Sequence, residues 1–269
     1  MYKRMMFFIL IILIVISVNT EAKLIINSSL CQEYEVNNNE IIEGKIVAKN
    51  SSDRSIKVRL YKRDYIFNAA GVNYYNKPGS NHRSNAGWIN IYKRKITMKP
   101  NETKTIGYQV KVPKANKFKG TYWSMIMVEE YGKGRVNQVP AEKIAVSQNI
   151  RYGIQVITDF NKKQEVSLKY QNPMIKEIQE NRYLFEVDVF NKGVTVLKAN
   201  IKLLLLNSNN GEILTEAILK PRRIYPDTSI NVSEKFKVKK DNKYKLILLL
   251  GNEEKGFFGK EYLFDINED

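Results

Sequence analysis

Catalysis usually requires clusters of histidine, cysteine or carboxylate side chains, and this sequence offers few of them. His82 is the only histidine and Cys31 the only cysteine among the 269 residues. A Ser-His-Asp triad would have to use His82, yet this residue lies in the segment "KPGSNHRSNAG", which has no nucleophile elbow near it. Two carboxylates could still meet in space for glycoside hydrolysis, although no spacing favours such a pair.

Cofactor and metal sites also lack their usual sequence signals. The chain has no glycine-rich phosphate loop, no cysteine cluster and no calcium-binding aspartate pattern. A single histidine excludes a histidine-rich metal site. We therefore predict a protein that is not an enzyme and that uses no cofactor and no metal ion.

Aromatic and arginine side chains, which often anchor protein interfaces, are concentrated in one long connection. The segment 64–88 carries Tyr74, Tyr75 and Arg83 among Asn, Gly and Ser residues. Connections of this length inside a compact domain are often functional, which suggests a partner-binding loop. Alternatively, its first aromatic residues extend the preceding strand and Trp88 begins the next one, which leaves only a polar loop.

The segment "GTYWSMIMVEE" is apolar at consecutive positions. In a strand, Tyr122 and Ile126 would lie on one face and Trp123 and Met125 on the other. We favour a central strand with one face in a sandwich core and the other packed under a loop or against a second domain. The alternative is a surface rich in Met and Trp that binds partners.

These candidate side chains require strands to position them, and period-two alternation predicts strands along the whole mature chain. In "IEGKIVAKN", "SIKVRLY" and "KTIGYQVKVP", apolar residues alternate with charged and polar ones, and turn residues separate the segments. No segment shows a convincing helical period. We therefore predict that residues 23–158 form one all-β domain.

The second part of the chain repeats this organisation. After a polar linker at residues 159–164, residues 165–269 show the same order of strands and turns. A strand ends at Asn50 or Asn191, and a turn follows at Pro100 or Pro226. We predict an all-β protein with two immunoglobulin-like β-sandwich domains in tandem after an N-terminal signal peptide.

The N-terminus predicts export. Lys3 and Arg4 precede an apolar run of about 14 residues, and Ala22 ends a small-residue cleavage motif. The run is shorter than the roughly 20 residues of a transmembrane helix, so we predict a signal peptide at residues 1–22. An uncleaved membrane anchor is the alternative. An exported protein with one cysteine has no internal disulfide.

The formal net charge is +16, from 44 Lys and Arg against 28 Asp and Glu. Such a charge attracts nucleic acid, anionic lipid or acidic wall polymer. Export argues against nucleic acid, which leaves an anionic wall polymer or membrane surface. We favour a compositional origin of the charge instead, since Lys, Asn and Ile are abundant throughout the chain.

Four segments of the first domain, "GKIVAKNSSDRSIKVRLY", "KITMKPNETKTIGYQVKVP", "GTYWSMIMVEE" and "SQNIRYGIQVIT", resemble the N-terminal domain of periplasmic pilus-assembly chaperones. The long aromatic loop and "PNETKTI" are also similar to the extracellular domain of Gram-positive surface proteins that accompany WxL cell-wall proteins. The chaperone resemblance implies that a strand of the first domain completes the sheet of an unfinished subunit.

That strand would be residues 148–157, with the alternating apolar residues on one face. The family also holds the subunit's C-terminal carboxylate with two basic residues in the cleft between domains. Arg151 would be one of them, but the first strand, "KLIINSSL", contains no arginine. This difference argues against a standard pilus-assembly mechanism.

We therefore predict an exported binding protein of the periplasm or cell surface, chaperone-like in the assembly of envelope or pilus-like structures, with a secreted or surface protein subunit as partner. The alternative is a structural or adhesive module that binds wall polymer or a host ligand through a basic surface. The candidate partner-binding residues are Ile150, Arg151, Tyr152, Ile154, Val156, Tyr74, Tyr75, Arg83 and Trp123.

Overall fold

The computed structural model of the chain describes residues 24–114, 118–132, 150–160, 166–239 and 242–266. The predicted signal peptide lies outside the described residues. Within the described ranges every regular element is a β-strand, so the all-β prediction is confirmed. These ranges contain no helix that is long and apolar enough to span a membrane.

Ten strands form the first part of the described chain. Their buried and exposed side chains alternate, because successive side chains of a strand point to opposite faces. The strands are β1 (Leu24–Ile26), β2 (Cys31–Glu35), β3 (Ile41–Asn50), β4 (Ile56–Phe67), β5 (Asn73–Asn76), β6 (Ile89–Ile91), β7 (Lys95–Met98), β8 (Thr103–Lys111), β9 (Gly120–Glu130) and β10 (Arg151–Phe160).

Two sheets pack face to face to form the N-terminal sandwich, residues 24–160. One has the strand order β1-β3-β8-β6; the other has the order β2-β10-β9-β4-β5, with β7 also paired to β4. Every pair is antiparallel except β2 with β10, which is parallel. Ile46 and Val110 of the first sheet share one buried cluster with Leu60, Ile126 and Ile154 of the second.

The C-terminal sandwich, residues 166–266, has the same construction with fewer strands. A three-stranded sheet in the order β11-β12-β15 faces a four-stranded sheet in the order β14-β13-β16-β17. Val187 and Val232 of the first sheet share a buried cluster with Leu203 and Leu248 of the second. The strands are β11 (Leu168–Gln179), β12 (Arg182–Asn191), β13 (Leu197–Asn207), β14 (Ile213–Ile224), β15 (Ser229–Lys237), β16 (Asn242–Asn252) and β17 (Gly256–Ile266).

The predicted domain boundaries fall between these two sandwiches and stay predictions. Strand β10 continues through Phe160, inside the predicted linker at residues 159–164. The rest of that linker lies outside the described residues.

One buried asparagine occupies the same position in each sandwich. The side-chain amide of Asn50, at the end of β3, donates to the carbonyl four residues later and to that of Lys99, both at 2.8 Å. Asn191, at the end of β12, donates to the carbonyl four residues later at 2.7 Å and to that of Ile224 at 2.9 Å. Asn191 thus ties a turn to β14 of the opposite sheet, and Asn50 ties a turn to the residue that follows β7 of the opposite sheet.

The turns before β8 and β15 are alike as well. Asn101 follows Pro100 with a φ of 55°, and Asp227 follows Pro226 with a φ of 57°. Asparagine and aspartate are among the residues that tolerate this left-handed conformation best. The internal similarity seen in the sequence therefore corresponds to shared turn geometry and shared hydrogen bonds.

We predict that Asn50→Ala and Asn191→Ala each lower the free energy of unfolding by about 2 kcal/mol, because buried carbonyl groups lose their donors. Urea denaturation measures the effect. Asn90→Ala, at an exposed position of β6, is the control and should change stability by less than about 0.5 kcal/mol. Equal effects of the buried and exposed substitutions would contradict the structural role of these amides.

Candidate partner-binding surface

Strand β10 is paired along one edge and only partly along the other. It pairs with β9 from Arg151 to Phe160 and with β2 only from Gln155 to Asp159. In the described part of the chain, no strand covers this second edge at residues 151–154. The backbone N–H of Gln155 donates to the carbonyl of Leu30 at 2.8 Å. Because backbone groups alternate in direction, Arg151 and Gly153 present their N–H and C=O groups at the uncovered edge.

The apolar side chains of β10 lie mainly inside the protein's own core. Ile154 and Val156 are both 0% exposed. Tyr152 is partly buried against the same core, and its hydroxyl donates to the carbonyl of Leu24 at 2.8 Å. Ile150 is half-buried, and residues 148 and 149 of the predicted donor segment lie outside the described residues. A partner at this edge would therefore contact backbone groups and the side chains of Ile150 and Tyr152.

Arg151 makes its described side-chain contacts with residues of the N-terminal sandwich. Its guanidinium, with that of Arg59, forms ion pairs with Glu129, whose side chain is 2% exposed. Burial alone would raise the pKa of Glu129, but the hydrogen bonds from the two arginines hold that pKa below its ordinary value. Gln155, four residues further along β10, already contacts the C-terminal sandwich. The anchoring role that the chaperone resemblance suggests for Arg151 stays a prediction, and its described ion pair is with Glu129.

Strand β9 has one face in the core, and on its other face Trp123 packs against the C-terminal sandwich, in agreement with the favoured interpretation of "GTYWSMIMVEE". Trp123 is 1% exposed and stacks on Tyr225, with ring centroids 4.6 Å apart and planes inclined by 26°. The indole N–H donates to the carbonyl of Tyr65 at 2.6 Å. The Tyr225 hydroxyl donates to Gln155 at 2.6 Å. Trp123 thus joins the two sandwiches and is not on the surface.

The backbone also holds the sandwiches together at Gly120. Gly120 has a φ of 70°, and a Cβ there would lie 1.9 Å from the carbonyl oxygen of Val194. The next residue, Thr121, donates its backbone N–H to that same carbonyl at 2.8 Å. Only glycine tolerates both the left-handed conformation and this close approach.

A polar cluster between the sandwiches was missed by the sequence analysis. Glu33 on β2 pairs with Lys198, and it accepts a hydrogen bond from Arg223 at 2.6 Å. Burial alone would raise the pKa of Glu33, but the hydrogen bonds from Lys198 and Arg223 hold it below its ordinary value. Glu33 and Arg223 are 190 positions apart, so no local spacing signals their contact.

The long connection after β4 divides into a packed part and an exposed part. Trp88 packs in an aromatic cluster, 5.1 Å from Tyr122 between ring centroids. Arg83 donates to the carbonyls of residues 119 and 121. Tyr74 and Tyr75 on β5 are 44% and 49% exposed. These two tyrosines therefore belong to the exposed part of the connection, and Arg83 belongs to its packed part.

In the described structure, His82 and Cys31 each lie beside one carboxylate. His82 lies 3.4 Å from Asp227, and both side chains are largely exposed. Cys31 lies beside Glu33, with its thiol donating to that carboxylate at 3.5 Å. Burial raises the pKa of the Cys31 thiol to about 11. Within the described residues, no three His, Cys, Asp or Glu side chains are grouped so that they could hold a metal ion.

We predict slow alkylation of Cys31, because the thiolate is the reactive form and a pKa of about 11 keeps the thiol protonated at neutral pH. At pH 8 the rate should be about 100-fold below that of an unstructured cysteine peptide. It should then keep rising up to pH 10, where the peptide has levelled off. Iodoacetamide labelling with mass spectrometry measures both. A rate equal to that of the peptide would show that Cys31 is not buried in the native state.

We also predict that Tyr225→Ala exposes Trp123, shifts its fluorescence to longer wavelength and costs about 3 kcal/mol or more of stability. Tyr225→Phe should keep the stack and lose only the hydrogen bond to Gln155, at about 1 kcal/mol. Measurements in a Trp88→Phe background isolate the signal of Trp123. An unchanged emission maximum in Tyr225→Ala would contradict the stacked contact.

Comparisons with known proteins agree with this architecture. No protein-family model and no curated protein matches the sequence. A chain from a chaperone–tip adhesin complex of CFA/I fimbriae biogenesis is 14% identical, with 92% of this chain and 100% of that chain covered and a TM-score of 0.50. The class 5 fimbriae chaperone CfaA is 14% identical, with 89% of this chain and 98% of that chain covered and a TM-score of 0.49.

A third match is the CsuC–CsuE chaperone–tip adhesion subunit complex from the archaic chaperone-usher Csu pili of Acinetobacter baumannii. It is 13% identical, covers 91% of this chain and 99% of that chain, and has a TM-score of 0.46. Identities this low show the fold alone. The predicted pair of immunoglobulin-like sandwiches is confirmed, and over 92% of its length the chain is similar in fold to the chain from the chaperone–tip adhesin complex.

Proposed function

We propose that this protein is an exported, non-enzymatic, chaperone-like factor that helps to assemble envelope or pilus-like surface structures. It does so by pairing the uncovered edge of β10 with a strand of a secreted subunit. The uncovered edge at residues 151–154 is the observation that carries this proposal. The fold shared with a chain of a chaperone–tip adhesin complex supports it.

The edge suits an incoming strand because its backbone groups point outward. An unpaired strand edge is a template for another chain, and main-chain hydrogen bonds give such complexes their affinity. Arg151 and Gly153 provide these groups, while the buried side chains of Ile154 and Val156 hold β10 firmly in its sheet. Since β2 covers the edge from Gln155 onward, the incoming strand ends there.

The other candidate residues have different parts in this proposal. Ile150 and Tyr152 flank the uncovered backbone and contact the incoming strand. Tyr74 and Tyr75 offer exposed aromatic surface on the same sheet, at the β5 end. Arg83 and Trp123 do not contact the partner in this proposal. Arg83 donates to backbone carbonyls of the loop before β9 and of β9 itself, and Trp123 packs between the two sandwiches.

We predict that Arg151→Pro abolishes partner capture whereas Arg151→Ala largely retains it. Both variants lose the ion pair with Glu129, but only proline removes the backbone N–H at the uncovered edge. Tagged mature protein is incubated with the native envelope, washed in high salt, and the retained proteins are identified by mass spectrometry. Ile154 is a poor position for this test, because its N–H faces β9 and a proline there would damage the sheet.

Recovery of one small, β-rich secreted subunit by the parent protein and Arg151→Ala, and not by Arg151→Pro, supports strand pairing. The folded state of each variant is checked by circular dichroism. If wall polymer is bound before the salt wash and nothing remains after it, the proposal is wrong and an electrostatic surface module is favoured. Retention of the same subunit by Arg151→Pro would also refute strand pairing at this edge.

A further inference from the structure

Strand β4 has a gap in its pairing that no sequence pattern indicated. On one edge β4 pairs with β7 over residues 56–59 and with β5 over residues 64–67. In the described chain no strand covers that edge between these two pairings. The N–H of Leu60 donates to the carbonyl of Arg94 at 2.8 Å. Lys62, two residues further along, therefore points its N–H and C=O groups into the gap.

A groove of about 590 Å³ opens at this gap. Its floor is apolar and its walls are cationic, and we call it the basic notch. It is lined by Leu60, Tyr61, Pro78 and Ile91 and by the cations Arg59, Lys62, Arg63, Arg94, Lys95 and Arg151.

The cations of the basic notch are only partly neutralised by the described carboxylates. Glu129 pairs with Arg59 and Arg151, but no described carboxylate lies within ion-pair distance of Arg63 or Arg94. Burial and the nearby charge of Arg94 lower the pKa of Lys62, which is expected where like charges are held together. An excess of positive charge over an apolar floor favours an anionic ligand that also has apolar atoms.

The cations are also held in place. The guanidinium of Arg63 lies 5.3 Å from the centre of the Tyr61 ring, and that of Arg59 lies 5.5 Å from it. The ammonium of Lys62 donates to the carbonyls of Ala86 and Ile89 at 2.6 and 2.8 Å. Positions fixed in this way reduce the entropy that binding would otherwise cost.

We propose that the basic notch binds an acidic segment of the same partner subunit whose strand pairs with β10. The proposal rests on the proposed function and adds to it the chemistry of the partner. The uncovered edge of β10 and the gap in β4 lie on opposite sides of β9. The guanidinium of Arg151 reaches from β10 across β9 to 6.0 Å from the centre of the Tyr61 ring on β4, so a partner that crosses this face of the sheet can contact both places. The unpaired backbone of Lys62 favours a peptide as ligand. A peptide backbone can pair with both its N–H and its C=O group as a neighbouring strand does, whereas a lipid headgroup or a nucleic acid cannot.

The test uses two labelled peptides with the same alternating Val-Thr strand. One ends in an Asp-Glu-Asp tail and the other in Asn-Gln-Asn, and fluorescence anisotropy measures their binding to the full mature protein at low salt. We expect the acidic peptide to bind about tenfold more tightly or better, and the difference to shrink as salt screens the charges. In the double variant Arg63→Glu, Arg94→Glu the difference should disappear.

The matched control is Lys169→Glu, Lys237→Glu, which makes the same charge change at exposed positions of the C-terminal sandwich. It should keep the preference for the acidic peptide. Equal binding of the two peptides by the parent protein would overturn the proposal, as would a preference that survives in the notch variant. Binding of phosphatidylglycerol vesicles that is lost in the notch variant, with no peptide preference, would overturn it in favour of a lipid surface.

The two proposals fail in different ways. Loss of binding of both peptides in Arg151→Pro, relative to Arg151→Ala, supports strand pairing whether or not the tail matters. Unchanged binding in Arg151→Pro with a persistent preference for the acidic tail refutes strand pairing and leaves the basic notch supported.

Discussion

The architecture depends on how the N-terminal segment is shared between the two sheets of the first sandwich. β1 pairs with β3 in one sheet, and β2 then crosses to pair in parallel with β10 in the other. The N–H of Asn27 still donates to Val47 at 2.8 Å, so the crossing occupies only residues 28–30. Because β2 begins so late, no strand of the described chain lies beside the start of β10 on that side, and the uncovered edge follows from the crossing.

The C-terminal sandwich fixes the opposite end of this sheet. Trp123, Gln155 and Glu33 lie on adjacent strands, and all three contact the second sandwich. Aromatic stacking, a hydrogen bond and an ion pair act together where the glycine at position 120 allows close backbone approach. The sheet is therefore closed at one end and open at the other, which makes the open end the accessible place for another strand.

The strands themselves were predictable because they depend on local patterns. Alternation identified β3, β4 and β8, and the repeated turns at Pro100 and Pro226 identified the two similar halves. The neighbours of each strand were not predictable. Whether the apolar residues of β10 face a partner or the chain's own core depends on which strands lie beside it, and the alternation of Ile154 and Val156 is the same in both cases.

The positions of the charged side chains also could not be predicted from the sequence. A net charge of +16 does not indicate a binding site as long as the positions of the cations are unknown. In the folded protein, Arg59 and Arg151 form ion pairs with the buried Glu129. Arg63 and Arg94 have no described carboxylate within ion-pair distance. The uncompensated pair, together with the exposed backbone of Lys62, is what gives this basic protein a specific place for an acidic ligand.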